Sequence, residues 1–244
     1  MSIEKEPFNT INPENKGASN LFDGPIDGKV GALKSAYLKS LAELVTGEPI
    51  QELSIEEEPE RTIESDHHYP KNEEISKYFS TLMKDKIVLD LGCGVQVTGY
   101  KIANFSDAKK YIGVEKHFAK TAFERTSQVT TPDSTPFEIA QQDMIDYVQD
   151  RSHKADIVIL VGIDLIIIPE YQWERLIKGI HEIISEDGRL LIGGGGTTKP
   201  WDLIEKYFTK DNSLEEIERK NTDLMFAMLP SVWKKRQNLP SQKI

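Results

Sequence analysis

The sequence has a single cysteine, Cys93, in 244 residues. One thiol cannot close an internal disulfide, and it cannot supply a cysteine-based structural zinc site. Long apolar runs are also missing. The longest, Ile157–Ile163 and Leu165–Ile168, are separated by Asp164 and fall far short of the ~20 residues that a spanning helix needs. Met1–Pro7 carries neither a basic stretch nor an apolar one, so no secretory signal is expected. A cytoplasmic protein with no membrane partner is the expectation. Basic charge is scarce as well: 30 Lys and Arg stand against 40 Asp and Glu, a formal net charge of −10. Nonspecific affinity for nucleic acid comes mainly from Lys and Arg on phosphates, so no nucleic-acid partner is expected of an acidic chain. The imbalance sits mostly in residues 1–85, net −8, against −2 for the remainder. The basic run Lys234-Lys235-Arg236 reads as the solvated end of a strand.

Hydrophobic residues make up 38% of the chain, enough for one large core with an appendage. Residues 1–28 are rich in Asn, Pro, Gly and acidic residues and show no periodicity. Over 30–46, Val30, Leu33, Tyr37, Leu41 and Leu44 fall on one helical face, and Gly47 and Pro49 end the pattern. A second helix is expected from an N-cap at Asn72, with Glu73 and Glu74 in its first turn, to about Lys84. From Lys86 strands and helices alternate. Strands are expected at Ile87–Leu91, Tyr111–Glu115, Phe137–Gln142, Asp156–Gly162 and Arg189–Ile192. Helices are expected at Val97–Asn104, His117–Ser127, Met144–Val148, Tyr171–Ile184 and Pro200–Phe208. Unbroken apolar strands alternating with helices imply a doubly wound, mostly parallel sheet covered on both faces. Two strands at the end, Leu214–Lys220 and Leu224–Leu229, are expected to close it as an antiparallel hairpin. The division expected is an N-terminal arm and helical cap over 1–70, and a Rossmann-like α/β domain over 71–244.

The first strand of that domain runs directly into Gly92-Cys93-Gly94 and then a helix. Glycines at such a turn adopt conformations closed to other residues and let a ligand approach the backbone, while the helix start offers free N–H groups. The second strand ends at Glu115, 21 residues after Gly94, where a carboxylate can accept hydrogen bonds from a ribose diol. A nicotinamide-dinucleotide site would want a third glycine where Val97 stands. Asp90, two residues before the first glycine, would repel a pyrophosphate but tolerate a cationic ligand.

Val88-Leu89-Asp90-Leu91-Gly92-Cys93-Gly94 resembles the first motif of the class I S-adenosylmethionine-dependent methyltransferases. The resemblance covers about residues 75–234. It implies that Asp90, Gly92 and Gly94 hold the amino-acid end of S-adenosylmethionine and that Glu115 takes the ribose. It also places Asp143 and Met144, after the third strand, near the adenine. Cys93 in the turn, Lys116 beside Glu115, and Gly162 at the fourth strand's end complete the expected cofactor set, with Tyr69 from the segment preceding the domain. Gln96 departs from the small residue that many members carry there. Asp164, after the fourth strand, is the candidate to orient a nucleophile or accept its proton, and His68 is a second catalytic candidate. No Asn-Pro-Pro-aromatic motif follows that strand, where Val161-Gly162-Ile163-Asp164 stands. His117 sits where it could touch the adenosine, and His181 is read as structural. Gly193–Lys199 lacks the spacing of a phosphate loop and reads as a cleft edge.

The expected function is therefore methyl transfer from S-adenosylmethionine to a small-molecule acceptor, with no resident metal and with residues 1–85 as a lid. A non-catalytic adenosyl-binding protein on the same fold is the alternative, and a nicotinamide-dependent oxidoreductase is the third reading.

Overall fold

A computed structural model describes residues 39–49, 71–95, 98–161, 168–193, 200–221 and 229–237. Residues 39–46 form helix α1, whose Leu41, Ala42, Leu44 and Val45 are buried. Gly47, at φ 75°, turns the chain out of it. The Asn72 N–H donates to Leu44 O, at 3.0 Å, tying α1 to the start of α2, Glu73–Met83. Asn72 caps α2 as expected, its Oδ1 accepting the Glu74 and Ile75 amides at 3.1 Å each. Asn72→Ala should cost about 1 kcal/mol of stability, read by chemical denaturation, because both amides lose their acceptor.

Then follow β1 (Ile87–Leu91), α3 (Thr98–Phe105), β2 (Lys110–Val114), α4 (Ala119–Gln128), β3 (Phe137–Ala140) and α5 (Met144–Gln149). After them come β4 (Ala155–Val161), α6 (Glu170–Ile183), β5 (Ile184–Gly193), α7 (Trp201–Tyr207), β6 (Phe208–Asp211), α8 (Ser213–Lys220) and β7 (Ser231–Lys235). The seven strands make one sheet in the order β3-β2-β1-β4-β5-β7-β6. All pairings from β3 to β5 are parallel, and β7 runs antiparallel to both β5 and β6. This is the class I methyltransferase-like α/β fold.

Alternate residues of each central strand feed opposite cores, as the pleat requires. Val88, Ile157, Ile159 and Val161 join α1, α2, α3 and Leu214 on one face. Leu89, Leu91, Val158 and Leu160 join α5, α6 and α7 on the other. Along α6, Trp173, Leu176, Ile177, Ile180 and Ile183 are all fully buried, a 3.6-residue stripe. The apolar residues of α1 are thus core residues alongside α2 and α3. Val30, Leu33 and Tyr37, expected on the same face, lie outside the described residues.

The C-terminal part corrects the sequence reading. Ser213–Lys220 is a helix, not the first arm of a hairpin. Leu214 and Ile217 lie three apart on one side of it, packed into the core, while Glu215, Glu216, Arg219 and Lys220 complement the two ends of the helix. The antiparallel pair is β6 and β7, with α8 inserted between them. Residues 222–228, which include most of the second expected arm, lie outside the described residues. Asp187-Gly188, expected between a helix and a strand, lies inside β5. There the pairing with β4 shifts register between Ala155 and Ile157, and a Cβ on Gly188 would come within 2.8 Å of Asp156 O. Among the described residues no helix is long and apolar enough to cross a membrane.

Candidate functional site

The chain reverses the direction of its sheet connections between β1 and β4, and β1 lies at the centre of the parallel region. Ligands in such folds bind beyond the carboxyl ends of the strands at this switch point. Gly92 and Gly94 stand there with φ of 64° and 63°, in the left-handed region that a side chain resists. Among the described residues nothing lies within 4 Å of a Cβ built on Gly94, so they leave the outer side of the turn open. The Cys93 N–H donates to Val114 O at 3.0 Å, locking the turn to the end of β2. Cys93 itself is buried, with its Sγ 2.7 Å from where a Cβ on Gly113 would sit.

Glu115 reaches back across the turn. Its Oε2 accepts the Gly94 N–H at 3.1 Å, and its Oε1 accepts the His117 and Phe118 amides at 3.0 and 3.5 Å. The half-buried carboxylate is therefore oriented before any ligand arrives. Each carboxylate oxygen has further lone-pair capacity for hydroxyl donors on the open side. Asp143 is the N-cap of α5, its Oδ1 accepting the Ile145 N–H at 2.8 Å, and its Oδ2 pairs with the Lys116 ammonium at 3.3 Å. Met144 follows, half-buried. Lys116 and Asp143 thus bridge the ends of β2 and β3 on the same side of the sheet as Glu115. Asp143→Ala should cost about 1 kcal/mol by loss of the cap, seen as a lowered denaturation midpoint.

Asp90 is placed differently from the glycines. It is fully buried at the end of β1, underneath the turn, and its Oδ2 accepts the Tyr111 hydroxyl proton at 2.9 Å. Burial pushes the Tyr111 phenol well above its usual range, and the neighbouring Asp90 carboxylate and Cys93 thiol act in the same direction. The phenol therefore stays a donor. Gly99, in the first turn of α3, lies against this carboxylate: a Cβ there would fall 2.2 Å from Asp90 Oδ2. Sequence reading looked for a third glycine at Val97. Gly99, two positions later, gives the close helix-to-strand approach, and it went unrecognised because its spacing fits no dinucleotide fingerprint. Tyr111 was equally missed, since a tyrosine in a strand signals packing until its partner is known.

The structure thus brings together Asp90, Gly92, Cys93, Gly94, Glu115, Lys116, Asp143 and Met144. Tyr69, His68, Gly162 and Asp164 lie outside the described residues, as do Gln96 and Val97. His117 is exposed beside Glu115, with Phe118 at 52% exposure next to it, an apolar surface at the mouth of the site. His181 is set among Tyr207 and Phe208, its Nε2 3.0 Å from Arg236 O, away from this cluster. No group of three or more metal-ligating side chains occurs among the described residues.

No family profile matches the sequence, and no curated protein matches it. Solved structures do match in fold. The N-methyltransferase NodS from Bradyrhizobium japonicum is 12% identical, over 66% of this chain and 92% of that one, with a TM-score of 0.49. In its complex with S-adenosyl-L-homocysteine, NodS covers 83% of this chain and 100% of its own at 13% identity and a TM-score of 0.46. An rRNA methylase from Streptococcus thermophilus is 15% identical, over 66% and 93% of the two chains, with a TM-score of 0.45. What is shared at such identities is the class I methyltransferase-like architecture already evident in the strand order. One expectation is corrected here. Proteins described as rRNA methylases have this fold, so an acidic net charge does not exclude nucleic acid as a partner: phosphate contacts need a local basic surface, not a basic chain.

Proposed function

We propose that the protein is an S-adenosylmethionine-dependent methyltransferase. The observation that carries this reading is the open turn of Gly92 and Gly94, with the Gly94 amide tied to the pre-oriented carboxylate of Glu115. Open space over Gly94 suits close approach by an aminocarboxyl group, and Glu115 offers oxygen acceptors to a ribose diol. Asp143 and Met144 flank the position of the adenine, and the exposed Phe118 extends that apolar wall. Buried Asp90 contributes negative charge beneath the turn, which suits a cationic ligand and opposes a pyrophosphate.

The cofactor, when bound, supplies a methyl group on a positively charged sulfur. The protein's part is to align an acceptor with that methyl and exclude water, effects that together can supply several kcal/mol. A general base is needed only for an acceptor protonated at working pH. We assign Asp164 and His68 to the acceptor side as the candidate base and orienting group, with Gly162 and Tyr69 completing the cofactor pocket. The acceptor we favour is a small molecule, since the strand end reads Val161-Gly162-Ile163-Asp164 and carries no Asn-Pro-Pro-aromatic motif of the amino-methylating nucleic-acid enzymes.

Methyl-tritiated S-adenosylmethionine tests the reaction in two arms, one with a small-molecule extract and one with total RNA. Label in the small-molecule fraction is the expected result. Label in RNA would overturn the acceptor class while keeping the chemistry. Tight binding with no transfer in either arm would favour the non-catalytic binding protein instead.

A further inference from the structure

The cofactor turn rests on a buried layer that extends beyond the motif. Asp90 lies below it, fully buried, and carries an ionisable group into the middle of the sheet. Its register neighbours are Gly113 on β2 and Ile159 on β4, neither of which offers a charge. From β2, two residues before Gly113, Tyr111 sends its hydroxyl to Asp90 Oδ2 at 2.9 Å. From α3, Gly99 closes on the same oxygen. The Tyr111 ring is in turn held edge-on by Tyr100, with centroids 5.5 Å apart, and the Tyr100 hydroxyl donates to Thr135 O at 3.1 Å. Tyr100 also packs edge-on against Phe137. The phenol that meets Asp90 therefore has little freedom to turn away.

We propose that Tyr111 is a positioning residue for the cofactor: it acts through Asp90 to hold the Gly92–Gly94 turn in its ligand-receiving form. This rests on the reading of the turn as an S-adenosylmethionine site. A buried carboxylate that loses a hydrogen-bond donor must find another or change place. Asp90 is two residues from Gly92 on a strand pinned on both sides, so its adjustment passes directly into the turn. Gly99 leaves no room for the carboxylate to move toward α3. The part of the ligand affected is the aminocarboxyl end, which meets the turn, and not the adenosine, which meets Glu115, Asp143 and Met144.

The test compares two ligands in full-length wild type and in Tyr111→Phe. S-adenosylhomocysteine has the aminocarboxyl end, and 5′-methylthioadenosine lacks it. Tyr111→Phe keeps the ring and its packing and removes only the hydroxyl. The expected result is a loss of about tenfold in affinity for S-adenosylhomocysteine, the scale of one hydrogen bond to a charged group, with methylthioadenosine affinity changed less than about twofold. A purely structural role would weaken both alike. In an Asp90→Asn background, Tyr111→Phe should have little further effect, because the residue through which it acts has changed. Equal affinities of wild type and Tyr111→Phe for S-adenosylhomocysteine would overturn the proposal and leave the methyltransferase reading intact. Parallel losses for both ligands would overturn it as well. Absence of binding by the wild type would overturn the reading and the proposal together.

Discussion

Glu115→Ala should lower affinity for S-adenosylhomocysteine at least about tenfold, and it should also destabilise the free protein. The affinity loss follows from the role proposed for Glu115, two charge-assisted hydrogen bonds to a ribose diol, each worth roughly 1.5–3 kcal/mol before water compensates. The stability loss is a consequence of the structure that the sequence reading did not foresee. At a strand end, the sequence alone leaves a carboxylate free of the fold, removable at little cost to stability. Instead Glu115 accepts the amides of Gly94 and His117, with Phe118 at longer range. Truncation leaves those donors to water and removes the side-chain tie between the turn and the β2 end, where the Cys93–Val114 backbone bond remains, a cost of about 1–2 kcal/mol. Glu115→Gln keeps an oxygen for one amide and should fall between wild type and Ala in both properties. Calorimetry gives the affinities and thermal melting the stability; wild-type values for both in Glu115→Ala would remove Glu115 from the site.

Gly99→Ala should lower the melting temperature, although alanine is the better helix former. The propensity gain is about 1 kcal/mol in an open helix. Here the new methyl would lie 2.2 Å from Asp90 Oδ2 and 3.3 Å from the Tyr111 hydroxyl. Neither neighbour is the loose end of a surface side chain, since both are buried. The start of α3 must therefore move off β1, and overpacking of this kind costs roughly 1–3 kcal/mol, which at so close an approach outweighs the propensity gain. For a domain of this size each kcal/mol moves the midpoint by about 2–4 °C. Cofactor affinity should fall too, because the helix start that follows the turn is displaced. A raised midpoint would show that α3 does not depend on Gly99 for its approach to the strand.

Much of this fold was legible because its strands are short and apolar throughout and its helices are periodic. Alternation from Lys86 onward implies a parallel sheet, and Gly92-Cys93-Gly94 after β1 marks the ligand end. Glu115 and Asp143 were legible from their place at strand ends. The region after Tyr207 was not. Phe208, fully buried, reads as the last apolar residue of a helix, but it opens β6. Leu214 and Ile217 have helical spacing, yet the short charged segment between two apolar stretches invites a hairpin. Packing of Leu214 against the α2 side decides the matter, and that contact spans more than a hundred residues. Gly99 and Tyr111 were illegible for the same reason: their roles exist only through Asp90, which neither adjoins in sequence.

On the function proposed, the turn at the end of β1 takes an adenosyl-sulfonium cofactor and not a dinucleotide. Calorimetric titration of the full-length protein with S-adenosylmethionine, S-adenosylhomocysteine and NAD tests it most directly. Saturable binding of the first two, with no heat from NAD, is the expected result; tight NAD binding without binding of either adenosyl ligand would contradict it.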